Sequence, residues 1–170
     1  MRYARICPNT NNWTSPSGGK KYCGPRTFPG MNGFGFDEWL LGTPMIKNGE
    51  FKGYKAGFIQ GFRGQPASFV TDVSCYWIED HKSKSSNLAI VIEKCQKLSE
   101  QEASDIFEEY RRDNFIETMI THLDGLSLAF PAISDSLSVF NVVFKPRDVE
   151  LITPPCQSSK KHPRFYDLFN

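Results

Sequence analysis

At 170 residues the chain is one domain's length, and its 39% apolar and 14% aromatic content suits a globular protein rather than a disordered or fibrous one. A formal net charge of +1 argues against the strongly basic face of a generic polyanion binder, while leaving room for local basic patches. No run approaches the ~18 apolar residues of a membrane span, and residues 1–6 lack the apolar stretch of a secretory leader, so no membrane partner and a cytoplasmic location are expected.

Residues 3–7 read as a short opening strand, and residues 14–32 as a long loop of Ser, Pro, Gly and Lys with Tyr22 and Phe28 as anchors. Phe36 to Leu41 begins a short helical turn, with Asp37 and Glu38 suited to its N-terminus. Strands follow at 54–63, where Tyr54, Ala56, Phe58 and Phe62 alternate with other residues, then at 70–79 and 88–95. Gly53, Gly57, Gly61 and Gly64 suggest bulges or the curvature of a small barrel. Ser99 and Glu102 form a capping box that opens a helix with Ala103, Ile106, Phe107 and Tyr110 on one stripe. Ile116, Met119, Ile120 and Leu123 make a second amphipathic segment, ended by Asp124 and Gly125. A last strand at 139–144 closes at Lys145-Pro146-Arg147-Asp148. The order predicts an α+β fold: a curved, mostly antiparallel sheet or small barrel with one or two packed helices, spanning 1–153, and a linker and tail over 154–170.

Motifs for catalysis are missing. There is no phosphate-binding G-x-x-x-x-G-K-[ST], and Gly33-Phe34-Gly35 is a fragment of a dinucleotide fingerprint without its strand–helix unit. His81, His122 and His162 lie far apart in sequence and form no metalloprotease or nuclease pattern. The five cysteines, at 7, 23, 75, 95 and 156, form no C-x-x-C pair and are expected reduced and buried. The acid pairs Asp37-Glu38 and Glu79-Asp80 are expected to be solvated, each supplying too few oxygens for a hard cation. No catalytic residue, metal or cofactor is therefore expected within this sequence.

Groups that read a flat ligand crowd the first forty residues. Asn9, Asn11, Asn12 and Trp13 precede Gly33-Phe34-Gly35-Phe36-Asp37-Glu38-Trp39, in a stretch too rich in Gly and Pro for a regular ladder. Two readings stand: Trp13 and Trp39 are core and the amides form turns, or Trp13 stacks on a planar ligand whose edge Asn9, Asn11 and Asn12 read, with Phe36 and Trp39 closing the pocket. Lys20, Lys21, Arg26, Lys82 and Lys84 are candidates for contacts to a phosphate backbone, and Lys160, Lys161 and Arg164 form a third basic cluster.

The segments 9–18, 28–40, 102–110 and 140–149, with Arg164-Phe165-Tyr166-Asp167-Leu168, resemble a module of prokaryotic restriction proteins that precedes HNH nuclease domains. That module is similar to the PUA-type barrels (EVE, YTH, ASCH and SRA-like domains) that flip out a base and hold it in an aromatic pocket. The resemblance implies a PUA-like or EVE-like reader of a modified DNA base, working with a nuclease domain or subunit. It departs at Phe36, where the G-F-G-x-D/E-E-W-L motif would carry histidine, and the nuclease domain itself is not in this sequence. Two rivals remain, a small enzyme acting on RNA or nucleotides through Asp37, Glu38 and a distant histidine, and a protein–protein adaptor using the aromatic loops.

Overall fold

The computed structural model describes residues 2–19, 25–62, 64–78 and 86–158. Among them six strands form one sheet: β1 (Arg2–Arg5), β2 (Lys55–Gly57), β3 (Val70–Ile78), β4 (Ser86–Lys97), β5 (Val142–Phe144) and β6 (Val149–Ser158). Three helices accompany them: α1 (Phe28–Asn32), α2 (Glu100–Arg112) and α3 (Phe115–Asp124). The fold is α+β, and the sheet does not close into a barrel: its order is β1-β3-β4-β5-β2, with β6 also paired to β4.

The long β4 organises this sheet. Antiparallel β3 lies along one side of it, with Ser74 opposite Val91. The other side is divided: β6 pairs with the first part, Ile92 opposite Val149, and β5 pairs with the end, Gln96 opposite Val143. β1 runs parallel to β3, the one parallel pairing in the described sheet. β5 has a core on each side. Val143 packs with Phe34, Phe36, Trp39 and the buried faces of α2 and α3, while Val142 and Phe144 pack with Trp13, Leu40, Ile59, Phe62 and the inner residues of β3 and β4. Alternation along an extended strand sends neighbours to opposite faces, so three residues are enough to divide the two clusters.

The α2 capping box forms as the sequence predicts: Ser99 Oγ accepts from Glu102 N–H at 3.2 Å, and Glu102 Oε2 accepts from Ser99 N–H at 2.6 Å. Ala103, Ile106 and Tyr110 turn inward, with Phe107 half-buried beside them.

Three elements differ from the sequence reading. The strand expected at 54–63 keeps only Lys55–Gly57. Beyond it the backbone of Ile59 bonds to a side chain: Asn141 Oδ1 accepts its N–H at 2.9 Å, and Asn141 Nδ2 donates to its carbonyl at 3.0 Å. A buried amide thus supplies both partners of a missing strand, which a period-two pattern cannot reveal. The linker expected from 154 continues the sheet instead, since Cys156 and Gln157 pair with Leu88 and Asn87 in β6. Pro154 and Pro155 are tolerated there because β6 pairs on one side only. The loop expected over 14–32 contains α1, started by Thr27 Oγ1 accepting from Gly30 N–H and ended by Gly33 at φ +78° with its N–H on the Pro29 carbonyl. Residues 159–170 lie outside the described residues. No helix among the described residues is long and apolar enough to cross a membrane.

Candidate functional site

The amides of the first loop hold that loop together. Asn9 Oδ1 accepts from the N–H groups of Asn11 and Trp13 at 2.7 and 2.9 Å, and Asn9 Nδ2 donates to the Ser15 carbonyl at 2.8 Å. Asn11 Nδ2 donates to the Pro16 carbonyl at 3.1 Å, while the Asn12 side chain is exposed. These bonds hold two consecutive non-glycine residues, Asn12 and Trp13, at φ 52° and 54°. The left-handed conformation costs roughly 1–2 kcal/mol per residue, so the loop's geometry is imposed by its amides rather than preferred by its backbone.

Trp13 is 3% exposed and its Nε1–H donates to the Cys7 carbonyl at 3.0 Å. Its own carbonyl accepts from Leu41 N–H at 2.9 Å, which joins the loop to the aromatic segment. The two meet so closely at Gly42 that a β-carbon there would lie 1.9 Å from the Thr14 carbonyl oxygen, so only glycine fits.

Asp37 and Glu38 make the same junction. Both are buried, which corrects the solvated placement expected from sequence. They sit on a 3-10 turn (Phe36–Trp39) that directs them inward at the N-terminal loop. Glu38 Oε1 accepts from Asn9 Nδ2 and Ser17 N–H at 3.1 and 3.3 Å, and Oε2 accepts from Gly35 N–H at 3.1 Å. Asp37 Oδ2 accepts from Cys7 N–H. Loop N–H groups without ladder partners need acceptors when buried, and two carboxylates supply them.

Burial pushes the Asp37 carboxyl up to about 6, the Glu38 charge adds to the rise, and the Cys7 N–H opposes it. An unfolded aspartate releases its proton near 3.8, so from there to about 6 the folded state holds a proton that the unfolded state has lost. Stability from this group is therefore greatest at low pH and falls as pH rises across that window, by on the order of 2–3 kcal/mol. Asp37→Asn keeps an acceptor for Cys7 and should remove this fall. Urea midpoints from pH 4 to 7 for the two proteins would give parallel curves if the shift were absent.

The second group is aromatic. Phe34, Phe36 and Trp39 pack with centroids 5.4, 5.7 and 6.2 Å apart, and Phe130 meets Phe36 edge-on at 5.9 Å. Trp39 is 1% exposed and its Nε1–H donates to His122 Nδ1 on α3 at 3.1 Å. Phe28 on α1 stacks on Phe36 at 5.3 Å, inclined by 30°, and meets Phe34 edge-on at 5.5 Å. It is 36% exposed, and Met31 beside it is 67% exposed. Phe28 thus forms the solvent-facing rim of a stack of rings.

The structure places Asn9, Asn11, Asn12 and Trp13 in one loop and Phe36 with Trp39 in one ring cluster, but it does not gather all six around one opening. Trp13 packs in the second core cluster, Phe36 and Trp39 in the first. Trp77 packs half-buried against the second. Of the backbone-contact candidates, Arg26 is exposed just before α1, while Lys20, Lys21, Lys82 and Lys84 lie outside the described residues, as do Cys23, Glu79, Asp80, His81, His162 and the 160–164 basic cluster. Phe28 was legible in sequence as a loop anchor; its exposure was not. Cys7, Cys75 and Cys95 are buried free thiols and Cys156 is exposed. Among the described residues no three His, Cys, Asp or Glu side chains are grouped to hold a metal ion. The chain matches no family model, no curated protein and no solved structure.

Proposed function

We propose that this domain is a nucleic-acid-binding module that holds an unpaired base against the aromatic rim at Phe28. The observation that carries the reading is the half-open stack: Phe28, 36% exposed, lies on Phe36 with Phe34 at its edge. A base is flat and apolar on its faces, and stacking on an aromatic ring stabilises it by ~1–3 kcal/mol whatever its sequence. Arg26, exposed two residues before Phe28, supports the reading as a phosphate contact.

In its narrower form the base is a modified one extruded from duplex DNA, as the sequence resemblance implies. Extrusion costs a few kcal/mol, so stacking needs hydrogen bonds to the base edge beside it. The Asn12 side chain is exposed, whereas the amides of Asn9 and Asn11 serve the loop. A nuclease domain or subunit is the partner this form would take. The enzyme reading has less support, because Asp37 and Glu38 are both engaged as buried acceptors for the loop.

Fluorescence anisotropy against plain and modified oligonucleotides, single- and double-stranded, tests the proposal. Phe28→Ala should weaken binding by roughly 5- to 150-fold, the equivalent of one lost stacking contact, in a protein that stays folded and loses a few degrees of melting temperature for its contacts with Phe34 and Phe36. Preference for a modified duplex would support the narrower form. A folded Phe28→Ala variant that binds as tightly as the parent, or a parent that binds none of the four probes, would reject the reading and leave the adaptor rival, for which Phe28 and Met31 are the exposed apolar groups.

A further inference from the structure

A basic cleft lies where β2 and β5 begin and end side by side. The antiparallel register sets Lys55 opposite Phe144, which brings Tyr54 next to Lys145. Lys52, Gly53, Tyr54, Lys145, Pro146 and Arg147 line a cleft of about 320 Å3. Three of the six are cations, one is aromatic and none is acidic.

Both walls are shaped by their own turns. On one, Gly53 N–H donates to the Ile46 carbonyl at 2.8 Å and Tyr54 N–H to the Phe51 carbonyl at 2.9 Å, with Gly53 at φ +85°. On the other, Pro146 opens a 3-10 turn (Pro146–Asp148) in which Asp148 N–H donates to the Lys145 carbonyl at 2.9 Å. The Tyr54 ring is held edge-on by Phe51 at 5.6 Å, and Lys145 Nζ sits 5.1 Å over it. That cation–π contact holds the ammonium over the Tyr54 wall of the cleft without neutralising it. Neither Lys52 nor Lys145 has a carboxylate partner among the described residues, and Arg147 meets Asp148 only at 3.7 Å with its side chain 78% exposed. Three cationic residues border one cleft, and an anion seated there would be attracted by all three.

We propose that this cleft binds a phosphate group, with Lys52 and Lys145 as point charges and the Arg147 guanidinium as a two-pronged donor. Multiple charge favours phosphate over a single carboxylate, and the planar fork of arginine suits two phosphate oxygens. The phosphate can come from a free polyphosphate compound or from a nucleic-acid backbone. The site stands whether or not a base is held at Phe28.

Tripolyphosphate titrated by calorimetry and a labelled oligothymidylate followed by anisotropy, both at low salt, separate the two sources. The parent protein should bind tripolyphosphate saturably, and Lys145→Gln with Arg147→Gln should weaken it about tenfold or more. If a backbone is the ligand, the same pair of changes also weakens the oligonucleotide and lowers the slope of log affinity against log salt by about 1–2. If a free polyphosphate is the ligand, oligonucleotide binding is unchanged. Lys52→Gln with Arg147→Gln is the second variant, both groups being exposed. Phe28→Ala should leave tripolyphosphate binding intact, so failure of the base rim and failure of this cleft are told apart. No saturable binding of either probe by the parent, or unchanged binding of both by both variants, overturns the proposal.

Discussion

Replacing Trp13 with alanine is expected to cost about 3–5 kcal/mol of stability, the range for removing a buried aromatic side chain. The ring is 3% exposed among Ile6, Leu40, Ile59 and Phe62, and its Nε1–H is satisfied by the Cys7 carbonyl. Alanine would leave a cavity between the loop and the sheet and remove the Nε1–H donated to the Cys7 carbonyl. Urea denaturation monitored by circular dichroism measures this directly. The outcome also arbitrates a functional question. A folded Trp13→Ala protein that loses less than about 1 kcal/mol but binds oligonucleotide more weakly would return the stacking role to Trp13.

Glu38→Ala is expected to destabilise the protein by about 3 kcal/mol or more, since each buried donor left unsatisfied costs roughly 1–3 kcal/mol. The Glu38 side chain accepts from Gly35, Ser17 and Asn9, and it is wholly buried. Removing it frees three donors at once, on both sides of the junction between the loop and the aromatic segment. Glu38→Gln keeps one good acceptor and turns the other arm into a donor, so it should fall between the parent and the alanine variant. Thermal unfolding of the three proteins should give that order. A Glu38→Ala melting temperature equal to the parent's would show that the junction does not depend on this carboxylate.

The two predictions share a physical theme, which is that residues resembling a ligand reader are also what a ladderless loop needs. Aromatic rings, amides and carboxylates fill a pocket or hold an irregular backbone by the same interactions. For Asn9, Trp13 and Glu38 the structure shows the second use. Phe28 is different: its ring is stacked, part-exposed and two residues from the exposed Arg26, with no comparable hydrogen-bond duty.

Sequence by itself determined the elements whose signals are local. The Ser99/Glu102 capping box and the 3.6-residue stripe of α2 appear where they were read, as do α3, β3 and β4 within a few residues of their expected ends. Each depends on neighbours a few positions away, so periodicity and caps are sufficient. The tertiary structure alone decided the rest. β6 is a strand because β4 offers it a partner, despite two prolines that read as a linker. The strand at 54–63 stops at Gly57 because Asn141, far along the chain, takes over the backbone of Ile59. Asp37 and Glu38 are buried because the N-terminal loop closes over them and donates its Cys7 and Ser17 N–H groups to them. The basic cleft exists because strand register joins Tyr54 to Lys145, and no local pattern in either segment encodes that register.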